Sequence, residues 1–303
     1  MSPDTTGTVN EFDGIGLQNL GNIRVDRDLI IGTQQHSNSI ASRRSECLRR
    51  LHTSPYKERK NRNPPRADGT CEWFTNHDLF RGWNQKDGAL LWVSADPGCG
   101  KSVLARYLID SVLPSNPAES RTTCYFFFKD EFEDQRTVAS ALSCLLHQLF
   151  DQHPALLSYD LLEKLGNEDQ FFASYSKFWD ILVTTAELLT THSDSNPGEV
   201  ICILDALDEC RDMIHLTTAL TELYSKSGGV PGLKFLITSR PYNDIHQAFE
   251  NLENSGLMLS LRGEVQQEVD KNALEISIAI DQRIDELCKR RRFGTEEKVA
   301  VLH

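Results

Sequence analysis

Residues 95–102, which read ADPGCGKS, bring two glycines, a lysine and a serine together at the spacing of a phosphate-binding loop. Gly98 and Gly100 allow backbone geometry that a side chain would block, so successive N–H groups turn inward. Lys101 supplies a mobile cation for the β- and γ-phosphates of a nucleotide, and Ser102 offers a hydroxyl to Mg²⁺. The residues expected to bind the nucleotide are Asp96, Pro97, Gly98, Cys99, Gly100, Lys101, Ser102 and Val103.

The flanking sequence supports this interpretation of the loop. Apolar residues 89–93 precede it and residues 103–109 follow it, which predicts a strand, a loop and then a helix whose positive end faces the phosphates. Ala95 stands where the strict pattern has a glycine, and it predicts a slightly stiffer loop. The alternative is a chance match in a glycine-containing turn.

A second segment, residues 200–209, reads VICILDALDE and places three acids at the end of an apolar run. The run predicts a fully buried strand, and open α/β sheets hold their ligands at the carboxyl ends of such strands. Asp205 is the candidate Mg²⁺ ligand, together with Ser102. Asp208 and Glu209 are the candidates for orienting the attacking water or accepting its proton. The alternative is a strand that ends in solvated carboxylates.

A third apolar run, residues 233–237, leads into Thr238, Ser239 and Arg240. If this strand lies between the other two, Thr238 and Arg240 reach the γ-phosphate side, where Arg240 distinguishes a triphosphate from a diphosphate. The alternative for Arg240 is a surface charge that pairs with an acid.

These segments, together with GTCEWF at residues 69–74, resemble the NACHT class of signal-transduction P-loop NTPases in its nephrocystin-like form. The resemblance covers about residues 45 to 290. It implies a switch that binds ATP or GTP with Mg²⁺, hydrolyses it slowly and forms homo-oligomers according to the nucleotide bound. Members of this class usually continue into a winged-helix region and repeats, and residues 1–303 are expected to lack that half.

The composition narrows the class of protein. The 303 residues carry 32 basic and 44 acidic side chains, a net charge of −12, which does not favour general nucleic-acid binding. Eight cysteines without a CxxC pair predict reduced thiols and a cytoplasmic location. The first residues lack the features of a signal peptide, and no apolar stretch approaches the roughly 18 residues of a membrane span.

Four regions are predicted along the chain. Residues 1–42 are expected to be a disordered tail, with residues 23–31 as a candidate short strand and an amyloid-type signalling motif as the alternative. Residues 43–68, the lead-in segment, are basic and are expected to pack on the acidic domain, a localisation signal or a phosphate-facing patch being the alternative. The NTPase domain spans residues 69–263. Residues 264–303 are expected to be helical, opened by Asn272 and Glu275 as a capping box and closed by a basic run at 289–292.

Alternating strands and helices predict an α/β fold of three layers, with a five-stranded, mostly parallel sheet in the order 2-3-4-1-5. The predicted strands are residues 89–93, 123–128, 200–205, 233–238 and 257–261. Trp73 and Phe74 either line an adenine pocket or belong to the core.

Three functions are compatible with these residues. The first is the nucleotide-driven switch. The second is a non-catalytic module that binds nucleotide as a structural element, or a fragment of a larger protein; a test of single-turnover hydrolysis separates it from the first. The third, a metabolite kinase, needs a substrate pocket and a lid that the sequence does not identify.

Overall fold

The computed structural model describes residues 31–116, 118, 120–166, 174–191, 198–254, 258–262, 277–278 and 280–282. Its strands are β1 Leu90–Ser94, β2 Arg121–Phe127, β3 Glu199–Asp205, β4 Leu233–Ser239 and β5 Met258–Arg262. Its helices are α1 Ile31–Leu51, α2 Tyr56–Arg62, α3 Glu72–Thr75, α4 Asp78–Gln85, α5 Lys101–Tyr107, α6 Val138–Gln152, α7 Tyr159–Gly166, α8 Tyr175–Thr191, α9 Met213–Ser227 and α10 Asn243–Asn254. One π-helical turn, Leu108–Val112, continues α5.

The strands form one parallel sheet in the order β2-β3-β4-β1-β5. The prediction of a mixed α/β fold with a parallel sheet is therefore confirmed. All residues of β1 and β4 are buried, and β2 and β3 are buried beyond their first residues, so both faces of these four strands are covered. This order places β4 between β1 and β3. The residues that follow these three strands therefore meet at one edge of the sheet.

Aromatic side chains fill much of the core beside β1. Trp83 and Trp92 are fully buried, and their indole N–H groups donate to Ala89 O at 3.1 Å and Ser239 Oγ at 2.9 Å. Phe74 is also fully buried, and the ring of Trp73 packs edge-on against it at 5.8 Å. Of the two interpretations of this aromatic pair, the packing favours the core.

The chain divides into two units at the boundary between Glu46 and Cys47, and the sheet belongs to the second. Residues 31–42 are the first part of α1, whereas the sequence predicted disorder for them. No proline lies between Pro3 and Pro55, so nothing of this kind interrupts α1 between Ile31 and Leu51.

The expected strand at 23–31 and the expected capping box at Asn272 and Glu275 lie outside the described residues, except for Ile31, which is helical. Residues 277–278 and 280–282 are helical. Within the described ranges, every helix is too short or too polar to cross a bilayer.

A buried ion-pair network lies at the amino-terminal ends of β2, β3 and β4, opposite the carboxyl ends of the strands. Lys234 on β4 has a side chain only 4% exposed, and its Nζ donates to Glu199 Oε1 at 2.5 Å and to Asn84 O at 2.8 Å. Arg121 on β2 reaches the second oxygen of the same carboxylate at 3.0 Å. One carboxylate therefore joins three neighbouring strands.

We expect Glu199→Gln to lower the free energy of unfolding by about 2–3 kcal/mol, because it leaves the buried Lys234 ammonium without a counter-charge. Urea denaturation measures the change. Glu250→Gln, an exposed substitution on α10, is the matched control and should stay within about 0.5 kcal/mol of the parent protein. Equal stability of the two variants would show that the network contributes nothing.

Candidate functional site

The loops after β1, β3 and β4 enclose a cleft of about 310 Å³. It is lined by Pro97, Gly98, Gly100, Lys101, Ser102, Val103, Ala206, Asp208, Glu209 and Arg240. Most of the site residues predicted from the sequence therefore lie together. Of the others, Asp205 is buried beneath the cleft, and Asp96 and Cys99 belong to the loop without lining the cleft.

The loop between β1 and α5 depends on two glycines. Gly98 and Gly100 have φ of +85° and +76°, a region that side chains disfavour, and a Cβ added at either would meet nothing within 4 Å. The space in front of the loop is therefore open. Ala95 is buried, lacks a positive φ and donates its N–H to Ser239 O at 3.3 Å. Its conformation explains why this position tolerates a residue other than glycine.

Lys101, the first residue of α5, folds back over its own loop. Its Nζ donates to Ala95 O at 2.6 Å and to Asp96 O at 2.9 Å. Burial lowers the pKa of this ammonium, while Cys99, Asp208 and Asp205 oppose the shift. Both acceptors are backbone carbonyls, and no carboxylate among the described residues is hydrogen-bonded to the ammonium. The positive charge at the cleft is therefore available to an anion.

Asp205 ends β3 and is 2% exposed. Its Oδ1 accepts a hydrogen bond of 2.6 Å from Thr238 Oγ1, and the carboxylate accepts another from Ser102. Burial raises the pKa of Asp205, and these two hydrogen bonds oppose that rise. The side chains of Ser102 and Asp205 thus adjoin, as the prediction of a shared Mg²⁺ site requires.

Thr238 has a different environment from the one expected. The sequence predicted that it reaches the γ-phosphate side, but it is fully buried and does not line the cleft. Its hydroxyl donates to Asp205 and accepts the N–H of Ala206 at 3.0 Å. The prediction was wrong because β4 turns this side chain towards β3 rather than towards the cleft.

We expect Thr238→Val to destabilise the fold by about 2–3 kcal/mol. Valine has a similar shape, but it leaves the Asp205 carboxylate short of one donor and the Ala206 N–H without its acceptor. Thr238→Ser retains the hydroxyl and should lose less than half as much. The two free energies of unfolding, measured in urea, test the role of the hydroxyl; similar losses would indicate packing instead.

Ala206 turns the chain from β3 into the cleft. It has φ 59° and ψ 52°, the left-handed region, where a non-glycine residue is strained by about 1–2 kcal/mol. A single 3₁₀ turn, Leu207–Glu209, follows directly and brings Asp208 and Glu209 to the lining. No sequence pattern indicates this conformation, because alanine rarely adopts it.

Asp208 and Arg240 form a pair across the ends of β3 and β4. Arg240 N donates to Asp208 Oδ1 at 3.0 Å, and Arg240 Nε lies 3.2 Å from Oδ2. The Asp208 side chain is 3% exposed and that of Arg240 is 39% exposed. Both interpretations of Arg240 therefore describe part of its position: the guanidinium lines the cleft and it is paired with an acid.

Glu209 has a partner that the sequence analysis did not single out. Lys129 Nζ lies 2.9 Å from Glu209 Oε2, and the Asp130 N–H donates to the same oxygen at 3.4 Å. The bond to Glu209 raises the pKa of Lys129. Lys129 comes two residues after β2 and therefore lies at the carboxyl ends of the strands. That position is the signal that could have indicated Lys129 as a residue near the site.

A cation at this site would depend on few protein ligands. Among the described residues, no group of three or more His, Cys, Asp and Glu side chains is arranged to hold a metal ion. The adjoining Ser102 and Asp205 suit Mg²⁺, which binds through one or two protein oxygens and completes its shell with water and phosphate oxygens.

Comparison with known proteins agrees with this arrangement. The sequence model of the family described as "Nephrocystin 3, N-terminal" matches residues 69–240, more than half of the chain. The vegetative incompatibility protein HET-E-1 of Podospora anserina is 28% identical over 230 residues. That match takes in 74% of this chain and 16% of HET-E-1, so the chain spans a small part of this relative's length.

Solved structures show more distant likenesses. The ORC2 protein of Aeropyrum pernix has a TM-score of 0.40 at 14% identity, over 71% of this chain and 55% of that one. Cdc6p of Pyrobaculum aerophilum has a TM-score of 0.40 at 16% identity, over 74% and 52%. Similarity at this level supports no statement about function. On the match to residues 69–240, the chain belongs to the nephrocystin 3 N-terminal family, a NACHT-like group related to the P-loop NTPases.

Proposed function

We propose that this chain binds a nucleoside triphosphate, ATP or GTP, with Mg²⁺ and acts as a slow NTPase switch of the NACHT type. The observation that carries the proposal is the convergence of Lys101, Ser102, Asp208, Glu209 and Arg240 on one cleft at the carboxyl edge of the sheet. Family membership supports the same chemistry. A module that only contacts other proteins has no need of this combination of cation, hydroxyl and acids.

The residues have separate roles in this proposal. The N–H groups of the loop and the Lys101 ammonium hold the phosphates, while Ser102 and Asp205 hold Mg²⁺. The cation, when bound, neutralises charge on the phosphate oxygens. Asp208 and Glu209 position the attacking water or accept its proton, and Arg240 contacts the γ-phosphate. Space for the phosphates is consistent with the open surface over Gly98 and Gly100.

Calorimetric titration with ATP, GTP and ADP, each with and without Mg²⁺, tests binding and base preference. Light scattering of the same samples tests whether the triphosphate changes the mass in solution, as a homo-oligomer driven by nucleotide requires. The proposal predicts binding that depends on Mg²⁺ and a larger particle with a triphosphate than with ADP. Binding without a change in mass would remove the switch and leave the nucleotide site.

A non-catalytic nucleotide-binding module is the second candidate. The observation that favours it is the pairing of both candidate catalytic acids, Asp208 with Arg240 and Glu209 with Lys129. Paired carboxylates are held in place and accept fewer new hydrogen bonds. A single-turnover assay separates the two candidates, because a module of this kind releases no phosphate even when copies are forced together.

The proposal also includes the location and the partners. Six of the seven described cysteines are buried, which suits a reducing compartment such as the cytoplasm. The net charge of −12 gives no support for nucleic acid as a partner. A second copy of the chain is the proposed partner. In a longer protein that contains this domain, the other segments of the chain would also determine the activity.

A further inference from the structure

The β2–α6 loop, residues 128–137, connects the candidate site with a part of the chain outside the family match. The loop is internally ordered: Lys129 N donates to Gln135 O at 3.0 Å, and Phe132 N donates to Lys129 O at 3.2 Å. The buried Gln135 side chain donates to Phe127 O at 2.7 Å. These hydrogen bonds tie the start of the loop to its end.

Helix α2 of the lead-in segment holds one side of this loop. Arg59 Nη2 donates to both oxygens of Asp134 at 3.2 Å, and Ser54 Oγ donates to Asp134 Oδ2 at 2.7 Å. The Arg59 guanidinium also lies 4.3 Å from the centre of the Phe132 ring. The side chains of Arg59 and Asp134 are 12% and 27% exposed, so the pair is partly shielded from solvent.

The other side of the loop holds the segment after β3. Lys129 Nζ and Asp130 N both bind the Glu209 carboxylate. Two residues further on, Arg211 N donates to Arg136 O at 2.8 Å. These bonds fix the distance between the loop and Glu209, which lines the cleft.

We propose that the lead-in segment controls hydrolysis through the β2–α6 loop: Arg59 anchors the loop at Asp134, and Lys129 positions the Glu209 carboxylate at the cleft. This inference rests on the proposed NTPase function and extends it to residues ahead of 69–240. Lys129 acts through Glu209 and is a positioning residue. A conformational change that withdraws α2 would remove the Arg59 anchor from the loop that holds Glu209.

The first test uses Lys129→Met, Lys129→Arg and a control, Lys164→Met, which removes an exposed lysine of α7 outside the cleft. Single-turnover phosphate release from ATP and calorimetric affinity are measured for each. We expect Lys129→Met to slow phosphate release about tenfold while affinity stays within about threefold, because positioning the catalytic carboxylate affects chemistry more than binding. Lys129→Arg, which retains the charge, should recover most of the rate.

The second test concerns the anchor. Arg59→Met is compared with Lys57→Met, which removes an exposed charge from the same helix. We expect Arg59→Met, and not Lys57→Met, to increase amide hydrogen exchange in residues 128–137 and 207–210 of the protein without nucleotide. It should also slow phosphate release about threefold to tenfold. In the double variant with Lys129→Met, the rate should be no lower than with Lys129→Met alone, because both act through Glu209.

These measurements separate the two proposals. If the parent protein binds no nucleotide, the proposed function fails, while the hydrogen-exchange comparison still decides whether α2 fixes the loop and Glu209. If the parent hydrolyses ATP and neither Lys129→Met nor Arg59→Met alters the rate, the coupling is refuted and the NTPase function stands. Rate losses that multiply in the double variant, or equal losses of rate and affinity, would also refute it.

Discussion

Replacing Lys101 by alanine is expected to weaken the affinity for ATP with Mg²⁺ by about 100-fold or more. The ammonium makes two hydrogen bonds to its own loop, and no carboxylate within the described ranges is hydrogen-bonded to it. Two charge-assisted bonds to phosphate oxygens contribute about 3 kcal/mol, and each 1.4 kcal/mol is a factor of ten in the dissociation constant. Calorimetric titration of both proteins measures the difference.

The fold should survive this substitution. Burial lowers the pKa of Lys101, so the charged form is disfavoured in the folded chain, and removing it does not sacrifice a buried ion pair. Thermal unfolding without nucleotide should therefore be similar in Lys101→Ala and the parent. Lys164→Ala, the exposed control on α7, should change neither affinity nor stability. Unchanged affinity in Lys101→Ala would exclude a phosphate site at this loop.

The position of the candidate site could be predicted from the sequence because sheets of this kind hold their ligands at the carboxyl ends of the strands. In a parallel sheet the carboxyl ends of all strands lie at one edge, so the loop at 95–102 and the acids after β3 had to be neighbours if their strands were adjacent or nearly so. Apolar runs of five to seven residues located β1, β3 and β4. Glycines at 98 and 100 marked the turn that needs positive φ.

The pairing of side chains within the cleft could not be predicted in the same way. Glu209 and Lys129 are 80 positions apart, and Thr238 and Asp205 are 33 apart, so no local pattern relates them. Asp208 and Glu209, the candidates for orienting the attacking water, are paired with Arg240 and Lys129. The strained Ala206 was also beyond prediction, because its conformation is imposed by the bonds that Asp205, Thr238 and the 3₁₀ turn make around it.

The lead-in segment illustrates the limit of charge as a signal. Its many basic residues predicted packing on an acidic domain, and Arg59 and Lys60 do pair with Asp134 and Asp110. Charge alone did not indicate which acids these basic residues pair with. Nor did it indicate that Arg59 contacts Phe132, in the loop that reaches Glu209. That information depends on the docking of α2 near β2.

Asp205→Asn is expected to remove the dependence of nucleotide affinity on Mg²⁺ and, at the same time, to stabilise the protein without ligand. The carboxylate is buried, and burial raises its pKa in the folded state. A raised folded pKa means that the ionised form at neutral pH opposes folding, and that stability increases as the pH falls through that pKa. Asparagine keeps an oxygen for Thr238 and removes the charge, so we expect the melting temperature to rise by about 2–4 °C.

Two measurements on the same preparation test whether Asp205→Asn raises the stability of the protein while it removes the response to Mg²⁺. Differential scanning calorimetry without ligand, at neutral and at acidic pH, should show that the advantage of Asp205→Asn shrinks as the parent aspartate becomes protonated. Titration with ATP should show an Mg²⁺-dependent gain in affinity of about tenfold or more for the parent and none for the variant. Asp180→Asn, on the exposed side of α8, controls for the loss of one negative charge. A less stable variant that still responds to Mg²⁺ would place the cation elsewhere and assign Asp205 a structural role alone.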